Sequence, residues 1–229
     1  MSRGEQPTGG NGQEATRRVL ARLRTDVPRD WVLADGPPVP DLARFTRDRL
    51  GHADVELRVA DPEEDAEMVA AWMARPHLVA TWDQAWPARR WADDWRERLA
   101  GTYSVPLILL YRGIAAGYVE VYRPARDEIG RCYAARPHDL GFHIAIGEPA
   151  MTGRGVFSPL LPIMADALID ADPRCHLVVV EPDAGNTGVH RALRSTGWVD
   201  DGEVQQRVDR RVRIFHRSDR RVALDLRDA

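Results

Sequence analysis

The sequence is short of cysteine, of long apolar runs and of blocks of like charge, and each shortage removes a class of function. Only Cys132 and Cys175 occur in 229 residues, each without the neighbouring Cys or His that a zinc site needs, so both read as filler thiols and no metal is implied. No apolar stretch reaches the roughly 18 residues of a membrane span, and the polar N-terminus has no signal-peptide core. The expectation is a cytoplasmic protein with reduced thiols and no membrane partner. Acids and bases are interspersed and the formal net charge is −3, which leaves no footprint for nucleic acid. The length suits one mixed domain plus extensions, or at most two small domains, with a sizeable core; one domain is the expectation, and separately a monomer or homodimer.

Residues 1–15, rich in Gly, Gln and Glu, cannot repay the entropy of ordering and read as a disordered tail. Residues 16–51 read as an N-terminal extension, with Val19, Leu20 and Leu23 at helical spacing before Pro37, Pro38 and Pro40 interrupt. The domain is expected over 52–229. It opens with a strand over 55–59, and Asp61-Pro62 then has the composition of a helix start. Between Glu63 and Leu99 the pattern is helical and broken by Pro76 and Pro87, giving a helix, a loop and a second helix that together hold Trp72, Trp82, Trp86, Trp91 and Trp95. Apolar runs over 107–111 and 114–122, joined by Arg112 and Gly113, predict a hairpin.

The segment LGFHIAI (140–146) predicts the next strand. Thr152 to Gly155 then makes a glycine turn into a helix running to about Asp170, and Leu177 to Val180 gives an apolar strand. Strand, turn, helix and strand in that order form a βαβ unit, hence an α/β (α+β) fold with parallel strands and a ligand at their carboxyl ends. A helix near 186–195 and a strand pair over 198–204 and 211–217 complete the sheet.

TGRGVFSPLLPIMADAL (152–168) carries the most chemical information. Glycines at a helix start leave backbone N–H groups free to face an anion, and Arg154 adds a full charge at the rim, so the turn is a candidate pyrophosphate seat. A plain strand-to-helix turn accounts for the same glycines.

Strand, glycine turn and helix, followed by strand, EPDAGN and a helix ending in Gly197 and Trp198, resemble the GCN5-related N-acetyltransferase (GNAT) superfamily. The resemblance implies a mixed, mostly antiparallel sheet with a central parallel strand pair flanked by helices, and acetyl-CoA or another acyl-CoA as co-substrate. It puts Ile144, Ala145, Ile146, Thr152, Gly153, Arg154, Gly155, Val156 and Asn186 against that co-substrate. The superfamily's coenzyme A signature falls on Thr152, Gly155 and Phe157, where only the middle glycine is kept. Leu193 stands where a tyrosine often protonates the leaving thiolate, and a leucine cannot donate a proton. WMARPHLVATWDQAWP, YVEVYRPARDEIGRCY, HDLGFHIAIG and DPRCHLVVVEPDAGN are similar to the lysine N-acyltransferases of siderophore pathways, including the mycobactin type. In that family a strand histidine and an acid ending the next strand are proposed to handle the substrate amine, positions that fall on His143 and Glu181.

The residues themselves point to the same pair. His143 alternates with Phe142 and Ile144 and so faces the opposite side of the sheet, a few residues before the glycine turn, while Glu181 ends the neighbouring parallel strand. A lysine amine with pKa about 10.4 is neutral in only about one molecule in two thousand at pH 7, so acyl transfer to it needs a base, and histidine titrates in the right range. Structural readings exist for each: a satisfied strand histidine and a glutamate that closes a loop. Asp183 is a rival acid or a turn former. Tyr118, Glu120 and Tyr122 share one strand face, as lining of an amine pocket or as an outward polar stripe. His77, Trp82 and Trp86 are candidate walls of the acceptor site or core aromatics.

The expectation is an N-acyltransferase acting from acyl-CoA, or from an acyl carrier protein, on a small amine such as lysine or N6-hydroxylysine. An aminoglycoside-type acetyltransferase and a non-catalytic acyl-CoA-binding regulatory domain are the alternatives.

Overall fold

Seven strands join in one sheet in the order β1-β2-β3-β4-β5-β7-β6, with apolar residues of the inner strands buried on both faces. The structure is a computed structural model that describes residues 36–42, 54–82, 84–153 and 155–218. The tail over 1–15 and the helical spacing at Val19, Leu20 and Leu23 lie outside the described residues. The strands are β1 (Val55–Val59), β2 (Ser104–Tyr111), β3 (Ile114–Tyr122), β4 (Leu140–Ile146), β5 (Leu177–Val180), β6 (Val199–Arg207) and β7 (Arg210–Ser218). The helices are α1 (Ala66–Met73), α2 (Pro76–Trp82), α3 (Ala88–Ala100), α4 (Leu160–Ala171) and α5 (Thr187–Ser195). Every named strand pairing is antiparallel except β4–β5, so the expected mixed sheet with one central parallel pair is present.

The two faces carry two cores. On one, Leu107, Leu109, Val119, Val121 and Phe142 pack against Leu160, Leu161, Met164 and Leu168 of α4 and Leu193 of α5. On the other, Ile108, Tyr118 and Ala145 meet Val69, Trp72, Trp91 and Trp95 from α1 and α3. Neighbouring residues such as Leu107 and Ile108 thus enter different cores, which is the period-2 alternation made physical. The β2–β3 hairpin closes through Arg112 (φ 54°) and Gly113 (φ 80°), two left-handed residues that match the twist of a two-residue turn.

Three expectations change. The loop foreseen between the first two helices is itself helical over Pro76–Trp82, because a proline at the first helical position loses no bond it could have made. The helix expected to follow directly from the glycine turn starts only at Leu160. Gly153 (φ 70°) and Gly155 (φ 72°) are left-handed, and Pro159 and Pro162 confine the helix start to their own turn. Third, a boundary at residue 52 leaves out core residues. Val39 and Leu42 are buried beside Val55 and Leu57, and Arg123, only 2% exposed, donates from Nη2 to the Pro38 carbonyl (2.6 Å) and to Asp172 (2.7 Å). The proline-rich segment that looks like an interruption is tied down instead, Val39 N–H reaching the Thr102 carbonyl at 2.7 Å.

Candidate active site

β4 and β5 pair only at Leu140–Val178 and Gly141–Val179. β4 then runs on to Ile146, while β5 ends at Val180 and the chain leaves through Pro182, which has no N–H to extend a ladder. The parallel strands therefore part in the middle of the sheet. Which backbone groups this exposes follows from the β3–β4 register. Gly147 N–H reaches the Ala116 carbonyl (2.8 Å), so the alternate pairs Tyr118–Ala145 and Glu120–His143 exchange main-chain bonds, and Phe142, Ile144 and Ile146 aim theirs toward the side β5 has left. His77 Nε2 meets the Ile146 carbonyl at 3.0 Å. Ile144 is thus left with its peptide groups facing the split.

The same parting brings His143 and Glu181 together. His143 Nε2 lies 2.5 Å from Glu181 Oε1, and the Tyr122 hydroxyl donates to Oε2 of the same carboxylate at 2.5 Å. Tyr122 also stacks on the imidazole, ring centroids 4.6 Å apart at 21°. Glu181 is shut away, its side chain 1% exposed, whereas that of His143 keeps 27% of its surface open. Burial alone would push the His143 pKa down, but the Glu181 carboxylate outweighs it and holds the ring above the ordinary value, with Glu120 and Asp127 adding to the effect. With Nε2–H assigned to Glu181 by the network, Nδ1 is the nitrogen that can accept a proton.

Glu120 stands directly across from His143 in the ladder, yet a second network claims it. Arg98 pairs with Glu120 Oε1, and Ser104 Oγ donates to the same oxygen at 2.7 Å. Burial would raise the Glu120 carboxyl; the Arg98 guanidinium, together with His143, Ser104 and Tyr118, more than compensates and keeps it below the usual range. Tyr118 is fully buried, stacked on Trp95 with centroids 5.6 Å apart. Tyr118, Glu120 and Tyr122 do share a strand face, but as a buried support behind His143, neither a solvent stripe nor the lining of the cleft described next.

That cleft encloses about 660 Å³ including its open mouth. Phe142, His143 and Ile144 from β4, Glu181 and Asp183 beyond β5, Leu161, Val189 and Leu193 from the helices, Thr81 and Trp82 at the end of α2, and Gln84 beyond it all line the cleft. Trp82 is set edge-on to His143, centroids 5.9 Å apart at 74°. Asn186 also borders the cleft while its side chain accepts from Val189 N–H to cap α5. Asp183 closes a turn, Oδ1 accepting from Gly185 N–H at 2.7 Å. His77 and Trp86 stand outside: His77 ties α2 to the end of β4, and Trp86 packs on Trp91 at 4.9 Å. Ala145 faces the tryptophan core, and Ile146 packs against the other one.

The glycine turn lies beyond the end of β4, and Arg154 is outside the described residues. A Cβ at Gly153 or Gly155 would meet nothing within 4 Å, and among the described residues the N–H groups of Gly155, Val156 and Phe157 have no partner. Thr152 Oγ1 donates to the Pro149 carbonyl at 2.8 Å, closing the turn before them. Open left-handed glycines with free amides fit the anion that the sequence pattern calls for, although the seat precedes α4 instead of forming its first turn.

Sequence reasoning missed Thr81, Gln84 and Arg210, which the fold brings to the cleft from distant segments. Arg98, the cation that neutralises Glu120, was equally invisible; its only local signal is the i,i+4 spacing to Asp94, to which its Nε donates at 2.5 Å.

A family model described as "Acetyltransferase (GNAT) domain" matches residues 61–206. The chain is 39% identical over 202 residues to the lysine N-acyltransferase MbtK of Mycobacterium sp. (strain MCS), covering 88% of this chain and 79% of that one. It is 28% identical over 182 residues to the N(6)-hydroxylysine O-acetyltransferase of Escherichia coli, covering 79% of this chain and 58% of that one. In fold it resembles the aminoglycoside acetyltransferase AAC(6')-Ib, solved in complex with coenzyme A, at a TM-score of 0.64 and 20% identity over 76% of this chain and 99% of that one.

Proposed function

The chain belongs to the GNAT acetyltransferase family, and on that premise we propose that it moves an acyl group from acyl-CoA to the side-chain amine or hydroxylamine of lysine or N6-hydroxylysine, as a cytosolic step in siderophore-type biosynthesis. The observation that carries the reading is the His143–Glu181 pair beside the split between β4 and β5. A thioester laid along that split supplies a carbonyl carbon open to attack and a thiolate leaving group. Ile144 N–H faces the place where the carbonyl oxygen would polarise. The pyrophosphate is assigned to Thr152, Gly153, Arg154, Gly155 and Val156, and the pantetheine arm to the strip between Ile144 and Asn186.

His143 Nδ1 takes the proton from the acceptor nitrogen as it attacks. Glu181 keeps the ring oriented and basic, and Tyr122 fixes both. Glu181, 1% exposed and already engaged twice, acts on the amine through His143. Transfer is direct. Cys132 is buried and its thiol is pushed up to about 11, first by burial and then by Glu181, so it supplies no thiolate for an acyl-enzyme. Trp82 gives an apolar wall for the acceptor's methylene chain.

Coenzyme A release, measured with acetyl- and long-chain acyl-CoA and with a loaded acyl carrier protein as donors, tests the reading. The acceptors are lysine, N6-hydroxylysine, ornithine and an aminoglycoside. The chain contains no lysine, so any acyl-lysine found by mass spectrometry comes from the acceptor and not from self-modification. Turnover with lysine or N6-hydroxylysine is expected. Turnover only with the aminoglycoside, or with no amine at all, would overturn it.

A further inference from the structure

Arg210 opens β7 and lines the same cleft as His143, Trp82 and Asp183. Its Nε is buried with no hydrogen-bond partner, and among the described residues no carboxylate pairs with its guanidinium. The arginines around it differ: Arg207 meets Asp209 and Glu128, Arg211 meets Glu203, and Arg213 meets Asp200 and Glu203. A planar fork of donors that lines a cleft, half-buried and with its Nε lacking an acceptor, is suited to an anion that arrives from outside the chain, and a carboxylate matches it bidentately. The described part of the glycine turn does not line this cleft, so Arg210 stands apart from the pyrophosphate seat.

Asp183 faces the same space, and its position relative to Arg210 is fixed. Asp183 bridges to Val212, Ala184 N–H reaches the Arg211 carbonyl (3.0 Å), and Arg213 N–H reaches the Pro182 carbonyl (2.9 Å). The loop bearing the acid is thereby clamped to the strand bearing the arginine. Arg210 and Val212 share one face of β7, and Val212 packs in the cluster that contains Tyr122, the residue stacked on His143. Cation, anion and imidazole therefore converge on one cavity. A diamine or an amino sugar offers the guanidinium no anion, whereas an α-amino acid offers a carboxylate and an ammonium together.

We propose that Arg210 binds the α-carboxylate of a free amino acid acceptor, with Asp183 receiving its α-ammonium, so that Arg210 selects an amino acid over the diamine of the same length. The proposal rests on reading the cleft as an acyl-transfer site. Its test compares kcat/KM for lysine, for 6-aminohexanoate, which keeps the carboxylate, and for 1,5-diaminopentane, which lacks it, using wild type, Arg210→Gln and Arg210→Lys. Wild type is expected to favour both acids over the diamine by about 10- to 100-fold, the range for losing a hydrogen bond to a charged group. Arg210→Gln should bring that ratio close to one, and Arg210→Lys should restore part of it. Equal use of acid and diamine by wild type, or an unchanged ratio in Arg210→Gln, would overturn the proposal and leave acyl transfer standing. Calorimetric titration of the coenzyme A-loaded protein with the same compounds separates the two ideas. If no amine is acylated yet lysine binds better than the diamine, and Arg210→Gln removes that difference, the transfer reading fails and the Arg210 assignment survives. Equal binding of the two compounds, or binding of neither, would refute Arg210 as the anchor.

Discussion

Gly141 stands directly across from Tyr122 in the β3–β4 ladder, and a Cβ at 141 would lie 2.5 Å from the Tyr122 ring. The missing side chain lets the tyrosine lie over β4, stack on His143 and reach Glu181. Gly141→Ala should therefore displace Tyr122 and lower kcat/KM by about 10²-fold, the cost of a small misplacement of a reacting group. In a Tyr122→Leu background the same change should add little, because both act through one side chain. Steady-state kinetics on the two single variants and the double variant check this.

His143→Ala removes the proposed base and should lower kcat by about 10² to 10⁴, as positioned bases do. The variant should be less stable but still folded at the assay temperature, because Tyr122 continues to donate to the Glu181 carboxylate. Thiol release and thermal denaturation of the same preparation separate loss of chemistry from loss of fold.

Glu181→Gln removes the charge that holds His143 above its ordinary value of 6.5. In wild type only the ring that has lost its proton can act, so kcat/KM should fall as pH drops through that raised pKa. The variant's acidic limb should move to lower pH while its maximum falls. Stability has the opposite sense. The protonated ring against Glu181 stabilises the fold fully below about 6.5, and this contribution is lost as pH rises through the folded value. The pH profiles of kcat/KM and of melting temperature, each run on both proteins, read the two effects.

Arg98→Met should leave Glu120, whose side chain is 7% exposed, without its cation and destabilise the protein by about 3–5 kcal/mol. Adding Glu120→Gln should recover much of that loss, since an amide is cheaper to bury than an unpaired charge. Denaturant titration of the single and double variants measures both steps.

Much of this fold was legible because its signals are local. The predominantly apolar segments LGFHIAI and LVVV located the two parallel strands, and the Arg112–Gly113 turn located a hairpin. His143 and Glu181 could be brought to one cleft because His143 lies on one strand of the βαβ unit and Glu181 directly follows the other. The supports behind them were not legible. That Tyr122 serves Glu181 and Glu120 serves Arg98 depends on strand register and on α3 crossing the sheet, neither of which one segment encodes. Pro76 looks like a helix breaker although it starts α2, and the prolines over 37–40 look like a gap although Val39 and Leu42 join the core. Arg210 gave no sign, because an arginine in an arginine-rich hairpin differs from its neighbours only in having no carboxylate paired with it among the described residues.

The most direct test of the account is a crystal structure of the protein with coenzyme A bound. The expected result is a pantetheine arm lying along the open edge of β4 at Ile144, its sulfur beside His143 and its pyrophosphate over Gly153 and Gly155. Coenzyme A bound elsewhere on the chain, or a sulfur held far from the imidazole, would contradict it.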